Sequence, residues 1–166
     1  MGDTLTIRPF AEADWPAVWR IMEPVIRAGD TYPYAIDMTA DGAREMWLDI
    51  PEATYVGEDV DGEIVGTYYL KPNQPKLGAH VVNAGYMVAE SARGRGVGAQ
   101  LCAHSQEEAL RLGYRAMQYN LVVKTNEASV HLWQKMGFTI VGTLAGAFKH
   151  AEHGYVDAYV MYKELV

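Results

Sequence analysis

The chain has 166 residues, with 14 Lys and Arg against 21 Asp and Glu, a formal charge of −7. An apolar fraction of 49% and a charged fraction of 21% are ordinary globular values and exclude disordered, collagen-like and coiled-coil chains. The length suits one domain, 1–166, and the acidic balance argues against a nucleic-acid partner, for which a basic face supplies most of the affinity.

No apolar run approaches the ~20 residues that span a bilayer, so no membrane partner is expected. Met1 to Phe10 carries Asp3 and Arg8 and lacks the apolar stretch of a signal peptide. Cys102 is the single cysteine, which leaves no intrachain disulfide. The plain expectation is a cytoplasmic protein.

Leu5 and Ile7 alternate with Thr4, Thr6 and Arg8, a short first strand. Asp14 offers a helix cap, and Pro16 fits a first turn. Trp15, Val18, Trp19, Met22 and Ile26 then form one helical stripe, which Pro24 is expected to kink or split. Gly29 to Pro33 is turn-rich. A second short helix starts at Thr39, carries Met46, Trp47 and Ile50, and ends at Pro51. Asp61-Gly62 centres a hairpin with strands at Thr54–Val60 and Glu63–Leu70. Lys71 to Gly78 reads as a loop and Ala79 to Ala89 as a strand. Gly85 within that strand predicts a bulge or a close approach to the backbone. A helix after Gly98 ends at Gly113, a strand covers Ala116–Val123, and a helix covers Asn126–Gly137. Strands near Phe138–Phe148 and Tyr155–Lys163 close the chain. Seven strands and four helices in this order make a mixed sheet with helices packed on it, α/β or α+β in class.

The chemistry lies between a strand and a helix, in Arg93-Gly94-Arg95-Gly96-Val97-Gly98-Ala99. Alternate glycines free the backbone to turn its N–H groups toward one point, the positive end of the following helix. Bare amides in a helix field form an anion site, and two arginines suit phosphate. No Gly-Lys-Ser/Thr follows, which excludes a Walker loop, and the spacing and preceding antiparallel strands do not fit a dinucleotide fingerprint.

The run Arg93 to Gly98 resembles the R-G-x-G-x-G/A loop of the GNAT N-acetyltransferase superfamily. Asn126 to Phe138 resembles its second motif, N-x-x-A/S-x-x-L-Y-x-x-x-G-F, with Trp133 where many members carry Tyr. The resemblance covers nearly the whole chain. It implies a mostly antiparallel sheet splayed between its fourth and fifth strands, acetyl-CoA as co-substrate, no metal, and a small-molecule amine as acceptor. Met87 and Val88 would pair their backbones with the pantetheine, Arg93 to Ala99 would hold the pyrophosphate, and Asn126 would reach the cofactor while capping its helix. A fainter similarity, through Asn83, Asn120, Asn126 and Gly154 to Tyr159, is to fungal acetyltransferases acting on proline analogues such as azetidine-2-carboxylate. It implies that Asn83 and Asn120 orient the acceptor beside the thioester.

Aminolysis of a thioester needs a positioned neutral amine, donors for the oxyanion and a route for one proton. Positioning can supply roughly 7–11 kcal/mol, and backbone N–H donors near Val88 ~3–4 kcal/mol more. Catalysis is therefore expected mainly from positioning, with water carrying the proton. Tyr119 and Ser129 are candidate acids, while Glu90 and His80 read as a solvated carboxylate and a sheet-face histidine. Scattered His80, His104, His131, His150 and His153 lack metal-site spacing. Tyr32, Tyr34, Trp47 and Phe148 would close a small acceptor pocket if they converge. A peptide N-acetyltransferase and a non-catalytic acyl-CoA sensor are the competing readings. Apolar residues on both faces of the last strands, Tyr155 to Met161, suit a homodimer.

Overall fold

The computed structural model describes residues 4–166. Strand β1 is Thr6–Pro9, helix α1 Trp15–Ala28 and helix α2 Ala40–Arg44, continued by a wide turn over Glu45–Asp49. Strands β2 (Ala53–Glu58), β3 (Ile64–Pro72) and β4 (Val81–Val88) follow. Helix α3 (Val97–Arg111), β5 (Ala116–Val123), helix α4 (Glu127–Lys135), β6 (Thr139–His150) and β7 (Gly154–Glu164) complete the chain.

The seven strands form one sheet in the order β1-β2-β3-β4-β5-β7-β6. All neighbours are antiparallel except β4 and β5. That parallel pair is joined only at Val81–Ala116 and Val82–Met117. Beyond Met117 the two strands part, and β5 also slips its register against β7 between Tyr119 and Val122. The mixed, mostly antiparallel sheet with four helices and a split between strands four and five is the expected architecture.

Strand alternation sorts β3 onto two cores. Tyr68 and Leu70 join Leu101, Met117, Trp133 and Met161 under α3 and α4. Tyr69 turns to the opposite face, where Val18, Met22, Ile26 and Trp47 pack beneath α1 and α2. Trp47 is fully buried, and its indole Nε1 donates to Thr67 Oγ1 at 3.0 Å, so its one polar atom is satisfied.

Three local expectations change in the structure. Pro24 lies inside α1 without splitting it. Its ring sits on the exposed side, while Val18, Ile21 and Met22 before it and Ile26 after it anchor the buried side. Packing on both sides of the proline outweighs the one hydrogen bond it removes. Asp14 does not cap α1 with its side chain; its carboxylate accepts from Ala11 N–H at 2.7 Å and from the Arg8 guanidinium at 2.8 and 2.9 Å. Gly85 produces no bulge, because β3 and β4 stay in register from Gly66–Val88 to Pro72–Val82. The close approach is real: a Cβ on Gly85 would lie 2.5 Å from Tyr69 Cε1.

Candidate active site

The split opens a cleft of about 810 Å³ that runs from the loop after β4 to the loop after α1. Its mouth is Arg93 to Ala99. Gly94 and Gly96 adopt φ of +76° and +78°, and a Cβ on either would meet nothing within 4 Å. These two glycines are therefore required by backbone conformation and not by space. Gly96 is the residue before α3, and its carbonyl accepts from Gln100 N–H at 3.2 Å. The N–H groups of Val97, Gly98 and Ala99 precede that first bond and have no acceptor inside the helix. Gly98 has a different reason: its Cβ would approach Leu132 Cδ2 of α4 at 3.1 Å.

Arg93, Gly94, Gly96, Val97, Gly98, Ala99 and Asn126 all line the cleft. Arg95 does not; its Nη2 lies 4.0 Å from Asp59 Oδ2 at the β2–β3 turn. Asn126 accepts from Ser129 N–H at 3.4 Å through Oδ1, which caps α4. A glycine-bounded cradle of helix amides with an arginine at its rim fits a diphosphate.

The wall beyond the mouth is β4. Tyr86 N–H donates to the Tyr32 hydroxyl at 2.8 Å, and that hydroxyl donates to Tyr86 C=O at 2.8 Å. Ala89 N–H instead donates to Val65 C=O on the β3 side. Backbone groups alternate along a strand, so those of Ala84, Tyr86 and Val88 face the split and those of Gly85 and Met87 face β3. This corrects the expectation for Met87. Its peptide belongs to the ladder with Thr67, and its side chain is buried beneath α1. Val88, like Ala84 and Tyr86, turns its peptide to the cleft, and β5 does not pair with it.

Asn83 and Asn120 both lie on the α1–α2 face of the split and both line the cleft. Asn83 is buried, with Oδ1 accepting from Tyr69 Oη at 3.2 Å and Nδ2 donating to Gln118 C=O at 3.0 Å. Its amide thus bridges the parting strands instead of standing clear for an acceptor. Asn120 is exposed; Nδ2 donates to Asn73 Oδ1 at 2.6 Å, and Oδ1 accepts from Gln118 Nε2 at 2.9 Å.

Aromatic rings close this end. Tyr32 stacks on Tyr34 at 5.4 Å and meets the edge of Trp47 at 5.9 Å, and Trp47 meets Tyr69 at 4.8 Å. Burial pushes the Tyr69 hydroxyl up to about 12 and the Tyr32 hydroxyl well above the usual phenol range. Phe148 does not join them; it lies 6.4 Å from His150 near the β6–β7 turn. Among the described residues, Asp30, Lys71 and Arg93 are the only charged ones lining the cleft. Lys71 stands opposite Asn83 in the β3–β4 register, with its Nζ 5.4 Å from the centre of the Tyr69 ring.

Trp133 is 9% exposed and lies 4.9 Å from Tyr86 and 5.1 Å from Tyr119. The phenols behind it bond to each other at 2.9 Å, and Tyr86 Oη also meets Ser105 Oγ at 2.7 Å. Burial holds both hydroxyls well above the usual phenol range, so both keep their protons. Glu90 and His80 are exposed and do not line the cleft. Among the described residues no group of three or more His, Cys, Asp or Glu could hold a metal ion, and no helix is long and apolar enough to cross a membrane.

Residues 15–138 match the sequence profile of the acetyltransferase (GNAT) family. The chain belongs to that family. It is 32% identical over 151 residues to N-acetyltransferase aca1 of Schizosaccharomyces pombe, spanning 81% of this chain and 72% of that one. A GCN5-related N-acetyltransferase from Kribbella flavida superposes with a TM-score of 0.91 at 43% identity, over 96% of this chain and 97% of its own. A GNAT phosphinothricin acetyltransferase from Sinorhizobium meliloti, solved in complex with acetyl-CoA, superposes at 0.84 with 19% identity, over 97% and 88% of the two chains. The last likeness speaks to fold alone. The chain is a GNAT N-acetyltransferase.

Lys71 is not singled out as a site residue by the sequence, and Tyr32 reads there only as one of four rings that would close a pocket. Tyr32 lies in a turn-rich segment with no periodicity, and Lys71 reads there as the first residue of a polar loop. Only the fold brings both to the split.

Proposed function

We propose that this enzyme transfers the acetyl group of acetyl-CoA to the amine of a small molecule carrying a carboxylate, an amino acid or an amino-acid analogue. The observation that carries the reading is the split itself. It has a phosphate-sized cradle at one mouth and a chamber at the other, walled by Tyr32, Tyr34 and Tyr69. Rigid aromatic walls favour a compact acceptor over a peptide strand. Lys71, whose ammonium faces a ring and no carboxylate among the described residues, supports an anionic group on that acceptor. Membership of the acetyltransferase family and the similarity to N-acetyltransferase aca1 support acetyl transfer.

In this reading the amides of Val97, Gly98 and Ala99, with Arg93, hold the diphosphate. Val88 pairs its peptide with the pantetheine as an added strand would. Asn120 orients the acceptor amine, and Asn83 keeps β4 and β5 at the distance that admits both substrates. The donor supplies an activated acyl group; the protein supplies position, dry walls and hydrogen-bond donors.

Calorimetry with acetyl-CoA and a thiol-release screen over free amines test this. Micromolar binding, with turnover of amino acids and little of matched amines lacking a carboxylate, is the expected result. No binding, or turnover of peptides alone, would overturn it.

A further inference from the structure

Tyr32 belongs to no strand, yet its hydroxyl makes two backbone hydrogen bonds to one residue of β4. It sits where β5 would have paired had the sheet not split. Its loop is held in place from three sides. Gly29 turns through φ +61° just before it and accepts from Ala151 N–H at 3.0 Å. Tyr34 stacks on its ring, and Trp47, itself bonded to Thr67, meets its edge.

The direction of the donor along β4 follows from the reading above, on which this inference rests. The diphosphate lies beyond the C-terminal end of β4, so the pantetheine runs back from Val88 toward Tyr86. Two residues of strand span about 7 Å. The acyl end therefore lies beside Tyr86, where the Tyr32 hydroxyl stands. Trp133 holds the α4 position where similar motifs carry Tyr, and an indole N–H is no acid.

We propose that Tyr32 is a catalytic residue, its hydroxyl donating a hydrogen bond to the thioester oxygen as negative charge develops there. The hydroxyl keeps its bond from Tyr86 N–H and rotates its own proton from Tyr86 C=O to that oxygen. The backbone donor behind it polarises the O–H and strengthens it as a donor. A phenol held above its usual range stays protonated at neutral pH and acts as a donor, not as an acid. The amine nitrogen forms its bond to the carbonyl carbon, and the C=O electron pair moves onto oxygen. That pair returns as the C–S bond breaks; the thiolate leaves, and the amine's proton goes to water. No oxidant or metal is needed.

The test compares wild type with Tyr32→Phe, which keeps the ring and its stacking. Removing one oxyanion donor lowers kcat by about 10²–10³-fold. The expected result is such a loss in kcat with KM and the Kd for acetyl-CoA changed less than about threefold. The infrared carbonyl band of bound ¹³C-labelled acetyl-CoA should also move to higher frequency in the variant, at a temperature where circular dichroism shows both proteins folded. A purely structural hydroxyl would not move that band. Wild-type kcat, or an unshifted band, in Tyr32→Phe overturns the role of Tyr32 and leaves acetyl transfer standing. A wild-type protein that neither binds acetyl-CoA nor releases thiol with any amine overturns both.

Discussion

Asn83 Nδ2 donates to the Gln118 carbonyl at 3.0 Å, one step past the last paired residues of β4 and β5. A side chain thus stands where a backbone ladder would have continued. It satisfies Gln118 and holds the strands a side chain's length apart, which defines the head of the cleft. The price of removing it is an unpaired buried acceptor. Asn83→Leu, similar in volume, should lower stability by about 1–3 kcal/mol and raise the acceptor KM, as chemical denaturation and steady-state kinetics would read.

Gly85 and Tyr69 form the next constraint. A methyl on Gly85 would lie 2.5 Å from Tyr69 Cε1 and 2.9 Å from Cζ. Tyr69 cannot retreat, because the Trp47 ring packs against it on the same face, with centroids 4.8 Å apart and planes at 89°. Gly85→Ala should cost about 1–3 kcal/mol through overpacking. That corresponds to a lower Tm by about 2–4 °C per kcal/mol for a chain of this size. Displacement of the Tyr69 hydroxyl from Asn83 should weaken acceptor binding as well, which a KM measurement would show.

Asn120 contrasts with Asn83 because it is exposed and its side chain bonds, among the described residues, to the side chains of Asn73 and Gln118. Asn120→Ala should change stability by no more than about 0.5 kcal/mol. Its kcat/KM should fall by about tenfold or more, equivalent to ~1.4 kcal/mol of transition-state binding. Calorimetry should give an unchanged Kd for acetyl-CoA. Equal turnover in the variant would remove Asn120 from the acceptor's path.

Asp14 sets an acid limit. The Arg8 guanidinium and the Ala11 N–H hold its carboxyl below the ordinary 3.8, with the Arg8 hydrogen bond the larger cause, against burial that acts the other way. A carboxyl depressed in the folded state is protonated more readily in the unfolded chain. Its stabilisation is therefore complete above about pH 5 and declines as pH falls through 4 and below. Asp14→Asn should flatten the fall of Tm with pH in that window, and at pH 7 should cost about 1–3 kcal/mol.

Cys102 should be inert in the native protein. Burial raises its thiol above the ordinary 9.0, and its Sγ is enclosed by Tyr119 Oη at 3.5 Å and Gln106 Nε2 at 3.4 Å. At pH 8 its reaction with a disulfide reagent should be about 10²-fold slower than in denaturant, where the thiol titrates normally and is reachable. Absorbance of the released chromophore measures both rates.

Much of this molecule is written in short stretches of sequence. The α1 stripe, the Asp61-Gly62 hairpin and the glycines before α3 depend on residues a few positions apart, so periodicity and backbone conformation suffice to read them. Gly94 and Gly96 need positive φ wherever the rest of the chain lies, and the motif that carries them is legible without a structure. The split in the sheet is different in kind. It depends on Asn83 meeting Gln118, 35 residues away, and on Tyr32 meeting Tyr86, 54 residues away. No local spacing encodes such pairs, because each depends on the packing of Trp47, Tyr69 and Met87 that holds the α1–α2 layer against the sheet. The chain's own pattern thus settled its elements and its anion loop, while the tertiary packing alone decided which hydroxyl, amide and ammonium groups face the cleft.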